Sequence, residues 1–189
     1  VVSDELDVPG FADNPPNRCY LCKSELFTVV REIADKHGIS AIADGTNADD
    51  TSDYRPGQKA AAECGVLSPL LEAGLTKDDI RELSRGMDLP TADKAAFACL
   101  ASRFPYGTRI DEPKLVAVGA VENLLRALNF RQFRVRHHGE VARIEVLPEE
   151  ITKLCEDPVR AQIVDVAREA GFQYVAADLV GYRTGSMNE

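Results

Sequence analysis

From Ser24 to Lys36 the apolar residues Leu26, Phe27, Val29, Val30, Ile33 and Ala34 recur at helical spacing. Lys36, His37 and Gly38 add a basic last turn and a cap, so the pattern predicts a helix that ends there. Ile39 to Ala43 is a short apolar run and predicts a buried strand. Asp44-Gly45-Thr46-Asn47-Ala48-Asp49-Asp50 comes at its C-terminal end, where open α/β sheets place ligands. The expected local organisation is a β–loop–α unit of a parallel sheet, with the earlier strands of that sheet expected outside this sequence. Lys59 to Cys64 predicts a short helix ended by Gly65, and Val66 to Leu71 predicts a strand or extended chain. Thr76-Lys77-Asp78-Asp79 resembles a capping box with an acid in place of the usual Glu or Gln, opening a helix through Arg85 that Gly86 stops. Leu89-Pro90-Thr91 precedes another short helical stretch ending near Cys99.

The pattern changes near Gly107 to Asp111, where a domain boundary is expected, giving segments 1–108 and 109–189. Glu112-Pro113 opens an amphipathic helix carrying Leu115, Val116, Val118, Val121, Leu124, Leu125 and Leu128, with Pro113 in its first turn. Phe130 to His137 and Glu140 to Val146 predict a hairpin around His138-Gly139, with Arg131, Phe133 and Val135 on one side and Arg134 and Arg136 on the other. Helical stretches Pro148 to Cys155 and Pro158 to Ala170 come next, then a strand at Tyr174 to Leu179. The order α-β-β-α-α-β predicts an α+β domain.

The 189 residues, 44% hydrophobic and 28% charged, are those of an ordinary globular protein. No apolar run approaches the roughly 20 residues needed to cross a bilayer, and no signal peptide opens the chain. A cytoplasmic protein with no membrane partner is expected. The net charge of −9 argues against general nucleic-acid affinity. Five widely spread cysteines in a chain this long suit buried, catalytic or metal-bound roles better than disulfides.

The chemistry concentrates in Ala98-Cys99-Leu100-Ala101-Ser102-Arg103-Phe104-Pro105-Tyr106-Gly107-Thr108-Arg109-Ile110. A thiol near cationic and hydroxyl donors can be held as thiolate, the form that attacks electrophiles or binds metal. The same donors can hold an anionic substrate. Upstream, Cys19-Tyr20-Leu21-Cys22 is a C-x-x-C that suits a zinc site, a cluster site or a buried pair of thiols. Cys64 and Cys155 sit on helical stretches with apolar neighbours and read as packing residues.

These motifs resemble those of the LarE-type sulfur transferases, ATP-pyrophosphatase (PP-loop) relatives that build the nickel-pincer nucleotide cofactor. The matching pieces are Asn14-Pro15-Pro16-Asn17-Arg18-Cys19-Tyr20-Leu21-Cys22-Lys23, Asp44-Gly45-Thr46-Asn47, Tyr54-Arg55-Pro56-Gly57 and Cys99-Leu100-Ala101-Ser102-Arg103-Phe104-Pro105-Tyr106-Gly107. Arg134-Val135-Arg136-His137-His138, Ala142-Arg143-Ile144-Glu145 and Asp178-Leu179-Val180-Gly181-Tyr182-Arg183-Thr184-Gly185-Ser186-Met187-Asn188 complete the set, in family order. The family's S-G-G-x-D-S phosphate loop is not in this sequence and is expected in a segment that precedes it. The implied fold is α/β: an incomplete PP-loop domain followed by a smaller α+β domain for substrate and oligomerisation.

The resemblance implies an enzyme that adenylates the carboxylates of a pyridinium biscarboxylic acid mononucleotide with ATP and Mg²⁺, then converts them to thiocarboxylates. Asp44, Gly45, Thr46 and Asn47 would contact ATP. Ser102, Arg103, Arg134 and Arg136 would hold the substrate phosphate, though a solvated face is the alternative for the two strand arginines. Glu122 and Glu145 would place metal or substrate, unless they are exposed carboxylates. His137 and His138, at a hairpin turn, carry no expected metal. Sulfur would come from Cys99 itself, leaving dehydroalanine, or from a [4Fe-4S] cluster on Cys19, Cys22 and Cys99, whose open iron carries an extra sulfide. A homo-oligomer in transient contact with other cofactor-biosynthesis proteins is implied. Two alternatives are a tRNA-thiolating enzyme, against which the acidic charge counts, and a non-catalytic metal-binding module.

Overall fold

A computed structural model describes residues 4–52, 56–94 and 97–183. Of the family motifs, Tyr54-Arg55 and Thr184 to Asn188 lie outside the described residues. After the Pro15-Pro16 turn the chain enters α1, Arg18–Lys36. The helix starts earlier than its apolar pattern predicts, because nothing between Asn17 and Ser24 breaks it, so the C-x-x-C lies in its first turns. Arg18 is buried and donates to Asn14. At the far end Gly38 takes a left-handed φ of 68°, and Ile39 N–H returns to the Ala34 carbonyl at 2.8 Å, which closes the helix as expected.

Helix α2, Pro56–Glu63, packs on α1. Phe27, Ala60 and Ala61 form a buried cluster with Tyr20, Cys64 and Val66 against it, so Cys64 has the packing role expected of it. The approach is close at Gly57, where a Cβ would meet the Lys23 stem at 3.0 Å and the Cys19 carbonyl at 3.5 Å.

The buried strand expected at Ile39 to Ala43 does not form. Among the described residues only Ala43 bridges, in parallel, to Leu67, and Ile39 is 52% exposed. A strand needs a ladder, and its neighbour runs out at once: Ser68-Pro69 turns the chain into the short α3, Pro69–Glu72. The capping box is formed as expected at α4, Lys77–Gly86. Bonds from the Thr76 hydroxyl and backbone hold the Asp79 carboxyl below its usual range. The short helix expected before Cys99 is absent from the described residues; turns and extended chain lead to a 3-10 turn, Leu100–Arg103.

The chain divides into two compact units, Val1–Lys94 and Ala95–Glu189. The segment carrying Cys99 therefore belongs to the second unit, where the element order matches the pattern. Asp111 caps α5, Glu112–Ala127, by accepting from Lys114 N–H. Strands β1, Phe133–His138, and β2, Val141–Val146, pair antiparallel through a two-residue turn, with Arg134 opposite Glu145 and Arg136 opposite Arg143. Helices α6, Ile151–Cys155, and α7, Val159–Glu169, then carry the chain to β3, Tyr174–Ala177, which pairs parallel to β2. Cys155 is exposed, against its expected packing role, because it closes the last turn of a five-residue helix.

The class is mixed α/β with a three-stranded sheet. Val118, Val121 and Leu125 of α5 meet Phe133, Val135, Ile144 and Val146 in a core they fully or almost fully bury. Among the described residues no helix is long and apolar enough to cross a membrane.

His137 lies in this core, its ring stacked on Phe104 at 5.0 Å and tilted against Phe172 at 5.3 Å. Burial, and then the Lys114 ammonium, lower its pKa below the ordinary value; burial and Arg143 do the same to His138. As pH falls, the unfolded chain takes up these protons before the folded one. Stability is then complete above about pH 6.5 and falls as the pH drops through the lowered folded values. Thermal melts taken between about pH 7.5 and 5 should show that loss, with a shallower slope in His137→Leu.

Candidate active site

Cys99 stands at the head of the Leu100–Arg103 turn with extended backbone, φ −61° and ψ 152°, and an exposed side chain. Its carbonyl oxygen accepts from Ser102 N–H at 3.0 Å, from Ser102 Oγ at 2.7 Å and, at the outer limit, from Arg103 Nη1 at 3.4 Å. The backbone of the thiol residue is thus held while its side chain faces outward.

Arg103 is 1% exposed. It gives Nε to Glu122 Oε1 at 2.6 Å and Nη2 to Oε2 at 3.2 Å, while Nη1 donates to Ser102 Oγ at 2.7 Å. Glu122 Oε1 also accepts from Val135 N–H at 3.0 Å, so one carboxylate joins α5, the thiol turn and the outer edge of β1. Strand alternation puts Arg134, Arg136, Arg143 and Glu145 on one face of the hairpin. Arg136 forks onto Glu145 with two bonds of 3.0 Å and donates Nη1 to the Ser102 carbonyl at 2.8 Å. Arg143 adds a third bond to Glu145 at 3.0 Å and reaches Asp178 at 3.2 Å. Glu122 and Glu145 are therefore buried, not the exposed carboxylates of the simpler reading.

Arg134 donates to the Phe133 carbonyl at 2.7 Å and lies 4.9 Å from the Tyr182 ring centroid. Burial, then the Arg103 charge, push its pKa below the usual guanidinium value. Tyr182 is brought there by Gly181, whose φ is 80° and where a Cβ would stand 2.8 Å from the Val146 carbonyl. Upstream of the thiol, the Phe97 ring packs on Phe133 at 5.2 Å, with the guanidinium groups of Arg126 and Arg134 each 5.4 Å from its centroid.

Ser102, Arg103, Arg134, Arg136, Glu122 and Glu145, all named from the sequence, are thus gathered with Cys99 in one unit. Sequence reasoning missed Phe97 and Arg126, for which the only signal was an aromatic two residues before the thiol. It also left Arg143, Asp178 and Tyr182 without roles, although all three lie inside family motifs.

Asp44, Gly45, Thr46 and Asn47 lie in the first unit. Asp44 accepts from Thr46 N–H at 3.1 Å, Thr46 Oγ1 at 2.8 Å and Ser68 Oγ at 2.8 Å. Partial burial opposes its charge, but these bonds outweigh it and hold the carboxyl below its usual range. Asn47 is tied to Asp50 through its backbone and side-chain amides. A Cβ on Gly45 would meet nothing within 4 Å.

Cys19, exposed, and Cys22, half-buried, are three residues apart on α1, a spacing that shares a helix face. Among the described residues no group of three or more His, Cys, Asp or Glu side chains is placed to hold a metal ion. Of the three thiols implied for a cluster, Cys19 and Cys22 lie in the first unit and Cys99 in the second.

No family model matches the chain. It is 37% identical, over an alignment of 188 positions that covers 98% of the chain and 67% of the relative, to the pyridinium-3,5-bisthiocarboxylic acid mononucleotide synthase of Lactiplantibacillus plantarum. The chain belongs to the LarE-type sulfur transferases. The chain is also similar to two uncharacterised proteins. One, from Synechocystis, is 44% identical over the whole chain and 70% of its own length; the other, from Methanocaldococcus jannaschii, is 30% identical over 95% of the chain and 69% of its own.

The pairing around Glu122 in this LarE-type chain has a measurable cost of removal. Glu122→Ala leaves a buried guanidinium without its carboxylate and strips the Val135 N–H of an acceptor. The expected loss is about 3–5 kcal/mol of unfolding free energy, read by chemical denaturation.

Proposed function

We propose that the protein converts carboxylates of pyridinium-3,5-biscarboxylic acid mononucleotide to thiocarboxylates, with Cys99 as the residue that gives up its sulfur. One observation carries the reading: an exposed thiol on a held backbone, among arginines, in a chain whose relative is named for the bisthiocarboxylic product. Arg103 in the turn and Arg136 bonded to it share their unit with Arg126, Arg134 and Arg143, against Glu122, Glu145 and Asp178. In a chain of net charge −9 this local excess of positive charge suits an anionic substrate. Arg134 and Arg136, with Ser102 and Arg103, provide the field for its phosphate.

A carboxylate is a poor electrophile, so ATP first converts it to an acyl adenylate and pyrophosphate leaves. The PP-loop domain of the family does this, with Asp44, Gly45, Thr46 and Asn47 contributing to the nucleotide site. Mg²⁺, when bound, neutralises phosphate charge. The Cys99 thiolate attacks the acyl carbon and AMP leaves, giving a thioester. Loss of the Cys99 Cα proton to base then breaks Cβ–S, releases the thiocarboxylate and leaves dehydroalanine. Each chain donates one sulfur by this route.

The α1 thiols favour a second reading, in which Cys19 and Cys22 join Cys99 in binding an iron–sulfur cluster that supplies the sulfur. A cytoplasmic homo-oligomer that hands the thiolated nucleotide to other proteins of cofactor assembly completes the proposal. Cys99→Ala in the full-length protein should abolish thiocarboxylate formation while pyrophosphate release on adenylation continues. Intact mass after turnover should fall by one hydrogen sulfide in the unsubstituted protein. Iron and acid-labile sulfide in anaerobically purified protein, lost in Cys19→Ser/Cys22→Ser, would instead favour the cluster. Equal loss of adenylation and sulfur transfer in Cys99→Ala would assign Cys99 to folding or binding.

A further inference from the structure

Expelling sulfur from Cys99 by elimination is difficult for a reason the residue itself sets. The Cα proton must leave, and the electron pair it leaves behind is delocalised onto the residue's own carbonyl oxygen as an enolate before Cβ–S breaks. A peptide oxygen has two lone pairs and accepts from one or two donors. In this chain it has the Ser102 N–H at 3.0 Å, the Ser102 hydroxyl at 2.7 Å and Arg103 Nη1 at 3.4 Å.

The direction of the hydroxyl bond is set by its neighbours. A guanidinium has only donors, so the 2.7 Å contact between Arg103 Nη1 and Ser102 Oγ makes that oxygen an acceptor. The peptide oxygen of Cys99 has only lone pairs, so the Ser102 proton points to it. A positive charge polarises a hydroxyl, which donates to the carbonyl where negative charge would develop. Arg103 is kept in place for this by its fork on the buried Glu122. The arrangement has the form of an oxyanion hole directed at the protein's own backbone.

We infer that Ser102, polarised by Arg103, is a catalytic residue of the elimination step: the pair stabilises the enolate of Cys99 as its Cα proton leaves, lowering the barrier to Cβ–S cleavage. The inference rests on the reading of Cys99 as the sulfur source. In balance, the Cα–H pair becomes the Cα=Cβ bond, the Cβ–S pair leaves with the thiocarboxylate, and the proton goes to base. No electron is gained or lost overall. The Ser102 proton is not transferred.

The test takes the full-length protein through a single turnover and uses peptide-resolved mass spectrometry to separate the Cys99 thioester from dehydroalanine. In Ser102→Ala the thioester should accumulate, the ratio of elimination to acylation rates falling about a hundredfold. Ser102→Thr, which keeps the hydroxyl, should restore the ratio to within about fivefold, a rescue that lost packing would not produce. A second assay needs no substrate. An α,α′-dibromoadipyl bisamide alkylates a thiol twice and then leaves as a cyclic sulfide, eliminating Cys99 to dehydroalanine. That elimination, measured after alkylation is complete, should be slowed to the same extent in Ser102→Ala and restored in Ser102→Thr. An unchanged elimination rate in Ser102→Ala in the reagent assay overturns the inference. If the unsubstituted protein forms neither thioester nor dehydroalanine on turnover, the sulfur-source reading fails by itself, and the reagent assay still decides whether Ser102 promotes elimination at Cys99.

Discussion

A carboxylate carried into the interior has to meet opposite charge and hydrogen-bond donors, or the chain does not fold around it. Glu122 meets both at once, taking the Arg103 fork on its two oxygens and the Val135 N–H on one of them. The rest of the site depends on that arrangement. Arg103 cannot swing out without leaving a buried negative charge, so the Leu100–Arg103 turn stays against α5 and β1. The bond from Val135 also satisfies a backbone group on the outer edge of the sheet, which would otherwise offer itself to another strand. The second pair, Arg136 on Glu145, reaches the same turn through the Ser102 carbonyl. Two buried ion pairs thus grip one exposed cysteine from beneath.

What could be read from the sequence was local. The α5 stripe, the α4 capping box, the Gly38 cap and the hairpin each depend on residues a few positions apart, and each is found where the pattern puts it. The Ile39 to Ala43 strand failed because a strand needs a partner, and the partner's length is set by Ser68-Pro69 far along the chain. Glu122 shows a different limit. It comes directly after Val121 on a helix whose apolar stripe is plain, and a charged residue beside such a stripe is ordinarily solvated. The distant Arg103 and the Val135 N–H bring it inside. Cys99 could be picked out by its neighbours' chemistry, but the way Ser102 and Arg103 turn back onto its carbonyl belongs to the geometry of a 3-10 turn. The Asp44 loop carries a similar lesson: its polar side chains bond largely within the loop and to Ser68.

The electrostatics of the second unit run against the average of the chain. An acidic protein repels anions in general, yet the hairpin face and α5 bring several guanidinium groups close together. Burying them costs hydration, and their carboxylate partners offset part of it. The aromatic rings of Phe97 and Tyr182 offer the π faces that weakly hydrated arginines accept in place of water.

The parallel pairing of β2 with β3 has a consequence for how the protein is made. Parallel strands cannot be joined by a tight turn, and here α6 and α7 intervene. The thiol, its turn, α5 and the hairpin all precede β3 in the chain and are synthesised before it. During that interval Arg143 lacks Asp178, Arg134 lacks Tyr182, and one edge of β2 stands open. The nascent chain therefore carries Cys99 beside an unfinished arginine cluster, which is complete only when translation has passed Tyr182.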